Sequence, residues 1–171
     1  TSPALSPNDT ASDQIDEVFE ELVMRTAGID RDVHAARPCA QEIICRDAGM
    51  TRDGISEFGV SDLDFCVLEN VGNLVCPAEF DTGASFSAMI LSVPEGDDKP
   101  LKYPLMFTKV DVVLINKIDV APYFDFDVAA CRERIKKLNP DCAIFEISSK
   151  TGEGFDAWID WLSKKVDDWN K

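Results

Sequence analysis

The sequence is poor in the residues on which most zinc, redox and nucleic-acid sites depend. Among its 171 residues there is a single histidine, His34, and none of the six cysteines forms a C-x-x-C pair. This spacing excludes zinc-ribbon and thioredoxin-type motifs. Lysine and arginine together number 17 against 32 aspartate and glutamate residues, a formal net charge of -15. A field of that sign repels phosphate backbones, so we expect no nucleic-acid partner.

Long apolar stretches are also missing. No run approaches the roughly 18–20 consecutive apolar residues of a membrane-spanning helix, and no signal peptide is recognisable. We therefore expect a cytoplasmic chain without membrane contact, and the cysteine usage favours a reducing compartment. Hydrophobic residues nevertheless make up 45% of the chain, which is enough for a packed core.

The hydrophobic pattern divides the chain at about residue 60. Residues 13–26 have the apolar spacing of a helix, but the rest of residues 1–60 shows no clear period. From residue 61, short apolar runs that suit buried parallel strands alternate with helical patterns. The predicted strands are 63–68, 86–93, 110–115 and 143–147, and the predicted helices are 100–109, 127–138 and 155–169. This alternation predicts an α/β fold for residues 61–171, with a mostly parallel sheet flanked by helices.

The first chemical motif follows the predicted strand 110–115. Asn116, Lys117 and Asp119 form the pattern N-K-x-D, at the carboxyl end of a strand, where open α/β sheets bind ligands. An aspartate there can accept two hydrogen bonds, from N1–H and the exocyclic amine of guanine, whereas adenine offers no such donor pair. The asparagine can serve the N7 side of the base and brace neighbouring loops, and the lysine stem can lie along the base plane. The alternative is a polar turn that ends a strand.

Ser148, Ser149 and Lys150 begin a second motif, S-S-K-T-G-E-G, which follows the predicted strand 143–147. A loop at this place can offer a backbone amide to the carbonyl oxygen of guanine, and its serine hydroxyls can tie it to the first motif. On its own the motif is a glycine-containing helix entry, which is common in α/β folds. In the order in which the two motifs occur, they predict a pair of guanine-binding loops.

A switch and a metal ligand are predicted upstream of these motifs. Glu69 and Gly72 follow the predicted strand 63–68, where an acid can hold a magnesium-bound water and a glycine amide can sense a terminal phosphate. Cys76 lies just behind them, in a loop from which a thiolate can reach a soft metal. The alternatives are a simple turn for the two switch residues and a core position for the cysteine.

Together these segments resemble the hydrogenase nickel-incorporation GTPase family, HypB. The resemblance rests on two further runs, E-N-V-G-N-L-V-C-P-A-E-F from Glu69 and E-G-D-D-K-P-L-K-Y-P-L-M-F from Glu95. It implies a P-loop GTPase-like fold of the SIMIBI type, with GTP or GDP, Mg²⁺ and Ni²⁺ as cofactors. Zn²⁺ fits a thiolate ligand equally well.

The resemblance also implies an activity and a set of partners. The implied activity is GTP hydrolysis. The implied partners are a second copy of the chain in a homodimer, a hydrogenase maturation partner, and the [NiFe]-hydrogenase large subunit as the recipient of nickel. The N-K-x-D residues then contact guanine, Glu69 and Gly72 form the switch, and Cys76 is a metal ligand at the dimer interface.

Two departures from the family pattern leave two interpretations open. The family's glycine-rich phosphate-binding loop, ending in Gly-Lys-Thr or Gly-Lys-Ser, occurs nowhere in the 171 residues, and the family's Cys-His metal pair is missing as well. His34 lies in no matching motif, and a lone histidine is more often a surface residue than a metal ligand. Without the loop the β- and γ-phosphates lack a cradle, so we expect impaired hydrolysis and a fold that is incomplete at its N-terminal side. The chain is then either a GTP-binding nickel metallochaperone with impaired hydrolysis or a non-catalytic, degenerate G domain that acts as a dimerisation or partner-binding module.

Overall fold

The computed structural model describes residues 83–169 and the isolated positions Gly49 and Val67. Its strands form one parallel sheet in the order β1-β2-β3. They are β1 (Ala88–Ser92), β2 (Val112–Asn116) and β3 (Ala143–Glu146). The helices are α1 (Lys99–Lys102), α2 (Pro104–Lys109), α3 (Val128–Leu138) and α4 (Phe155–Trp169), and short 3-10 helices span Val93–Glu95 and Ile118–Tyr123. The predicted parallel sheet flanked by helices is confirmed.

Three predictions fall on residues that the structure does not describe. They are the helix over 13–26, the strand over 63–68 apart from the isolated position Val67, and the division of the chain after residue 60. All three stay predictions. Within the described part of the chain, no helix is long and apolar enough to cross a bilayer.

The central strand β2 is covered on both faces, because successive side chains of a strand point to opposite sides of the sheet. One core joins the three strands to α2 and α3, through Met89, Leu91, Val113, Ile115, Ile144, Phe107, Cys131 and Ile135. The other joins β2 to α4, through Val112, Leu114, Phe155, Trp158 and Leu162. Burial on both faces explains why β2 is a continuous apolar run rather than an alternating one.

The helix predicted over 100–109 is in fact two short helices, α1 and α2. Tyr103, which separates them, has φ -130° and ψ 56°, outside the helical region. Pro104 follows it, and a proline ring disfavours the helical conformation in the residue before it. The prediction of one helix was wrong because it took Pro100 as the start and did not weigh Pro104 as an interruption.

Helices α3 and α4 confirm the predicted segments 127–138 and 155–169. Asp127 caps α3, since its carboxylate accepts a hydrogen bond of 2.9 Å from the amide of Ala130. At the other end of α3, the Asn139 side chain donates to the carbonyl oxygens of Phe107 and Val110 at 3.2 and 2.9 Å. These bonds satisfy carbonyls at the end of α2, so Asn139 joins the two helices on one face of the sheet.

Two cysteines predicted to be small apolar core residues are buried. Cys131 and Cys142 are both free thiols. Burial raises the pKa of Cys131 to about 11, and burial also raises the pKa of Cys142. Both are therefore protonated at neutral pH, and both pack as small apolar residues. Cys66, for which the same was predicted, lies outside the described residues.

Candidate functional site

The N-K-x-D and S-S-K motifs meet at the carboxyl ends of β2 and β3. The two strands are parallel neighbours, with Ile115 opposite Glu146, so the loops that follow them begin side by side. The amide of Ile147 donates to the carbonyl of Ile115 at 2.8 Å, and the amide of Ile118 donates to the carbonyl of Ile147 at 3.2 Å. The backbones of the two loops are therefore joined directly.

Asn116 braces this junction from inside. Its side chain is buried, and its Oδ1 accepts from the amide of Lys117 at 2.7 Å, the amide of Ser149 at 3.2 Å and the hydroxyl of Ser149 at 3.3 Å. Two of these donors are backbone N–H groups, so the atom that meets them must be the oxygen. The Nδ2 group is buried and has no hydrogen-bond partner in the part of the chain that the structure describes. An unsatisfied buried donor costs about 1–3 kcal/mol, so a polar acceptor that reached this amide would stabilise the site.

Asp119 is held through one of its two carboxylate oxygens. The hydroxyl of Ser148 donates to Asp119 Oδ1 at 2.7 Å and itself accepts from the amide of Thr151 at 3.2 Å. Ser148 is fully buried, which gives the bond a fixed geometry. Among residues 83–169, no hydrogen bond reaches Asp119 Oδ2. The carboxylate is therefore oriented by the second loop and keeps acceptor capacity for a ligand.

Lys117 produces the sharp turn between β2 and the 3-10 helix that carries Asp119. It has φ 65° and ψ 38°, and among residues 83–169 it is the only non-glycine residue with a positive φ. An L-residue in this region costs roughly 1–2 kcal/mol, so the turn is retained against a local energetic preference. Residues in sparsely populated backbone conformations concentrate at functional sites.

The second loop is closed by its own backbone. The amide of Ser148 donates to the carbonyl of Glu153 at 2.9 Å, and the amide of Gly152 donates to the carbonyl of Ser148 at 2.8 Å. Gly154 has φ 78°, and a Cβ atom at this position would lie 1.9 Å from the carbonyl oxygen of Glu146. The sequence pattern indicated only a glycine-containing helix entry, and the close backbone approach that makes Gly154 necessary was missed.

The structure brings together the six predicted nucleotide-binding residues of the two motifs, and Lys150 lies exposed on their turn. Glu69, Gly72, Cys76 and His34 lie outside the described residues, so the switch and metal roles stay predictions. Within the described residues, no group of three or more His, Cys, Asp or Glu side chains is arranged to hold a metal ion. The described part of the site is thus a polar junction between the two loops.

Comparison with known proteins identifies the family. Residues 15–146 match the family described as "CobW/HypB/UreG, nucleotide-binding domain". The chain belongs to this family. The match crosses the boundary predicted after residue 60, and the division itself stays a prediction.

Relatives in the CobW/HypB/UreG family include hydrogenase maturation factors. The Hydrogenase maturation factor HypB of Escherichia coli K12 is 47% identical over 116 residues, which are 68% of this chain and 40% of the relative. The Hydrogenase/urease maturation factor HypB of Helicobacter pylori is 46% identical over 102 residues, 60% of this chain and 42% of the relative. The chain therefore spans about two fifths of the length of these curated relatives.

Solved structures of CobW/HypB/UreG family members share the fold. The hydrogenase maturation factor HypB of Archaeoglobus fulgidus superposes with a TM-score of 0.66 at 38% identity, covering 74% of this chain and 62% of that one. HypB of Helicobacter pylori in complex with nickel superposes with a TM-score of 0.66 at 41% identity, covering 71% of this chain and 58% of that one. The resemblance to the HypB family and the expected P-loop GTPase-like fold are confirmed.

Proposed function

We propose that this chain is part of a GTP-binding nickel metallochaperone for [NiFe]-hydrogenase maturation, and that its described residues bind the guanine base. The observation that carries the proposal is the hydrogen bond of 2.7 Å from Ser148 to Asp119, which orients the carboxylate at the sheet edge. Beside it, Asn116 presents a buried amide nitrogen that has no partner in the described region. A carboxylate acceptor and an amide donor at one edge complement the polar groups of guanine.

The chemistry of recognition follows from the two side chains. Asp119 accepts hydrogen bonds from N1–H and the exocyclic amine of guanine, whereas adenine presents no adjacent donor pair of that kind. Asn116 Nδ2 is a donor for N7. The aliphatic stem of Lys117 lies along the base plane, and a backbone amide of the turn with Ser149 and Lys150 meets the carbonyl oxygen of the base. A site built on paired donors and acceptors rejects a base that leaves them unpaired.

Nickel handling and nucleotide switching are assigned to the segment behind the predicted strand 63–68. Glu69 would hold a Mg²⁺-bound water, and the amide of Gly72 would contact the terminal phosphate. Because Cys76 follows these two residues closely in the sequence, the state of the nucleotide would affect the position of the metal ligand. The support is the family, its relatives named hydrogenase maturation factors and a neighbour solved with nickel. Paired Cys76 thiolates across a homodimer suit Ni²⁺, and they suit Zn²⁺ as well. In this proposal the chain acts in the cytoplasm, where it binds a hydrogenase maturation partner and delivers nickel to the [NiFe]-hydrogenase large subunit.

A second function is favoured by one sequence observation. The 171 residues contain no G-x-x-x-x-G-K-[ST] motif, whose backbone amides and lysine hold the phosphates in P-loop proteins. The chain would then be a non-catalytic, degenerate G domain that serves as a dimerisation or partner-binding module. Under either function we expect impaired GTP hydrolysis by this chain.

Nucleotide titration separates the two functions. Calorimetric titration of the full 171-residue chain with GDP and, separately, ATP should show micromolar binding of GDP and none of ATP. Guanosine and adenosine provide a phosphate-free comparison that isolates recognition of the base. Absence of binding in all four titrations would remove the nucleotide-binding proposal and favour the partner-binding module.

The metal proposal is tested through the cysteine behind the switch. We expect Cys76→Ser to abolish nickel-dependent dimer formation, since serine is a much poorer ligand than thiolate for a soft metal. Light scattering coupled to size exclusion, with and without NiCl₂, measures the change. Cys39→Ser, at a cysteine outside the predicted motifs, is the matched control. An identical nickel response in Cys76→Ser and the unaltered chain would exclude Cys76 as the ligand.

A further inference from the structure

Asp97 joins its own loop to helix α3, which lies about 30 residues later in the sequence. It lies beyond the carboxyl end of β1, after the 3-10 helix Val93–Glu95. Its Oδ1 is 3.0 Å from Nη1 of Arg134 in α3, and the same Nη1 donates to the Asp97 carbonyl at 2.7 Å. Its Oδ2 accepts from the backbone amide of Asp127 at 3.2 Å. One aspartate thus binds both the body of α3 and the residue that begins it.

This contact fixes the far end of the segment that carries Asp119. That segment leaves β2 at Lys117 and ends at Asp127, where α3 starts. Its near end is held by the backbone bond between Ile118 and Ile147. Between the two ends lies a 3-10 helix over Ile118–Tyr123, which packs against the core through Ile118, Val120 and Ala121. Such helices have poorer hydrogen-bond geometry than α-helices, so the two anchors add to this packing in placing Asp119.

The Asp97–Arg134 pair differs from an ordinary surface ion pair. The side chains of Asp97 and Arg134 are 21% and 29% exposed, and the guanidinium bonds a carboxylate and a carbonyl of the same residue. On the same helix, Lys137 and Glu133 form a pair whose side chains are 70% and 68% exposed. Pairs of the second kind contribute little because water screens them and both side chains lose freedom. The Asp97–Arg134 pair joins residues that are 37 positions apart. It therefore fixes the loop of Asp97 relative to α3, whereas the Lys137–Glu133 pair links two residues of the same helix.

We propose that Asp97 and Arg134 are positioning residues for recognition of the guanine base. They act through the amide of Asp127, which they hold so that the segment from Lys117 keeps the Asp119 carboxylate facing the second loop. The inference rests on the proposed function, since it concerns the quality of the same base site. It predicts that loosening the anchor speeds nucleotide release without changing which base is preferred.

The test compares Arg134→Met with Lys137→Met in the full chain. Both variants remove a long cation from α3, but only the first breaks the anchor. We expect Arg134→Met to raise the dissociation rate of fluorescent GDP about fivefold or more, and Lys137→Met to leave it unchanged. The ratio of affinities for GDP and xanthosine diphosphate (XDP) should fall in Arg134→Met, because a less well placed Asp119 discriminates less between the bases, and should stay constant in Lys137→Met. Asp97→Asn, which keeps an acceptor for the Asp127 amide, should give an intermediate rate.

Hydrogen exchange provides a readout that does not need a nucleotide. The measurement is made well below the melting temperature. In Arg134→Met we expect faster amide exchange over residues 118–127 and unaltered exchange in β2 and β3. Failure of the unaltered chain to bind GDP would overturn the proposed function. Equal release rates and equal exchange in the two variants, with GDP bound by the unaltered chain, would overturn this inference alone.

Discussion

Asp119→Asn should shift the base preference of the chain from guanine to xanthine. The carboxylate accepts from two donors of guanine, and replacing it by an amide puts a donor against the exocyclic amine. Losing hydrogen bonds to a charged acceptor costs about 3 kcal/mol, or roughly a hundredfold in GDP affinity. Xanthine carries a carbonyl where guanine carries the amine, so the new amide can donate to it. Competitive titration with GDP and XDP measures this shift in base preference.

The variant is suited to this test because the support of the side chain is kept. The oxygen of the new asparagine can still accept from Ser148, whose hydroxyl lies 2.7 Å from Asp119 Oδ1. Asp125→Asn, at an exposed position of the same segment, removes the same charge and is the control. A GDP-to-XDP ratio that is equal in Asp119→Asn, Asp125→Asn and the unaltered chain would show that Asp119 does not contact the base.

Gly154→Ala should destabilise the described part of the fold by about 2–4 kcal/mol. Two effects add here: a side chain at φ 78° is strained, and its Cβ would lie 1.9 Å from the carbonyl oxygen of Glu146. Because that neighbour is backbone at the end of β3, it can move only if the strand or the loop moves. Urea unfolding followed by tryptophan fluorescence measures the loss, since Trp158 of α4 is buried in the core between α4 and β2.

Gly152→Ala separates the two causes of that loss. Gly152 has nearly the same backbone conformation, with φ 76°, so the variant carries the conformational strain of a side chain at positive φ. We expect it to cost about 1–2 kcal/mol, with the larger value for Gly154→Ala reporting the collision with Glu146. Equal losses of unfolding free energy in the two variants would mean that the end of β3 moves aside and that the contact between the new Cβ and the Glu146 carbonyl oxygen costs no free energy. Because the same loop holds Ser148, Gly154→Ala should weaken nucleotide binding as well.

The meeting of the two motifs could be predicted from the sequence because it depends on simple geometry. Asn116 and Ser148 each follow an apolar run, and parallel neighbouring strands end at one edge of a sheet. The polarity of the residues after each strand then identifies a ligand site. The bonds of Asn116 Oδ1 to Ser149 and of Ser148 to Asp119 realise the expected tie between the loops.

Other features could not be predicted because they depend on contacts that form only when the loops and helices are folded against one another. Position 154 requires a glycine because of the carbonyl oxygen of Glu146. The role of Asp97 depends on the amide of Asp127 and the guanidinium of Arg134, which lie 30 and 37 residues later. No local period or motif records such distances. The interruption at Tyr103 is different, because Pro104 is a local signal in the sequence: a proline disfavours the helical conformation of the residue before it.

The hydrogen bonds that join the two loops are all made within the chain, and they have a thermodynamic consequence. Ile118 with Ile147, Asn116 with Ser149, and Ser148 with Asp119 already set the spacing between the loops. A preorganised pocket loses little conformational entropy when it is filled. Selection between purines can therefore take place on a nucleoside alone, before any contact with its phosphates, and the free energy of that selection should be nearly the same for guanosine, GDP and GTP.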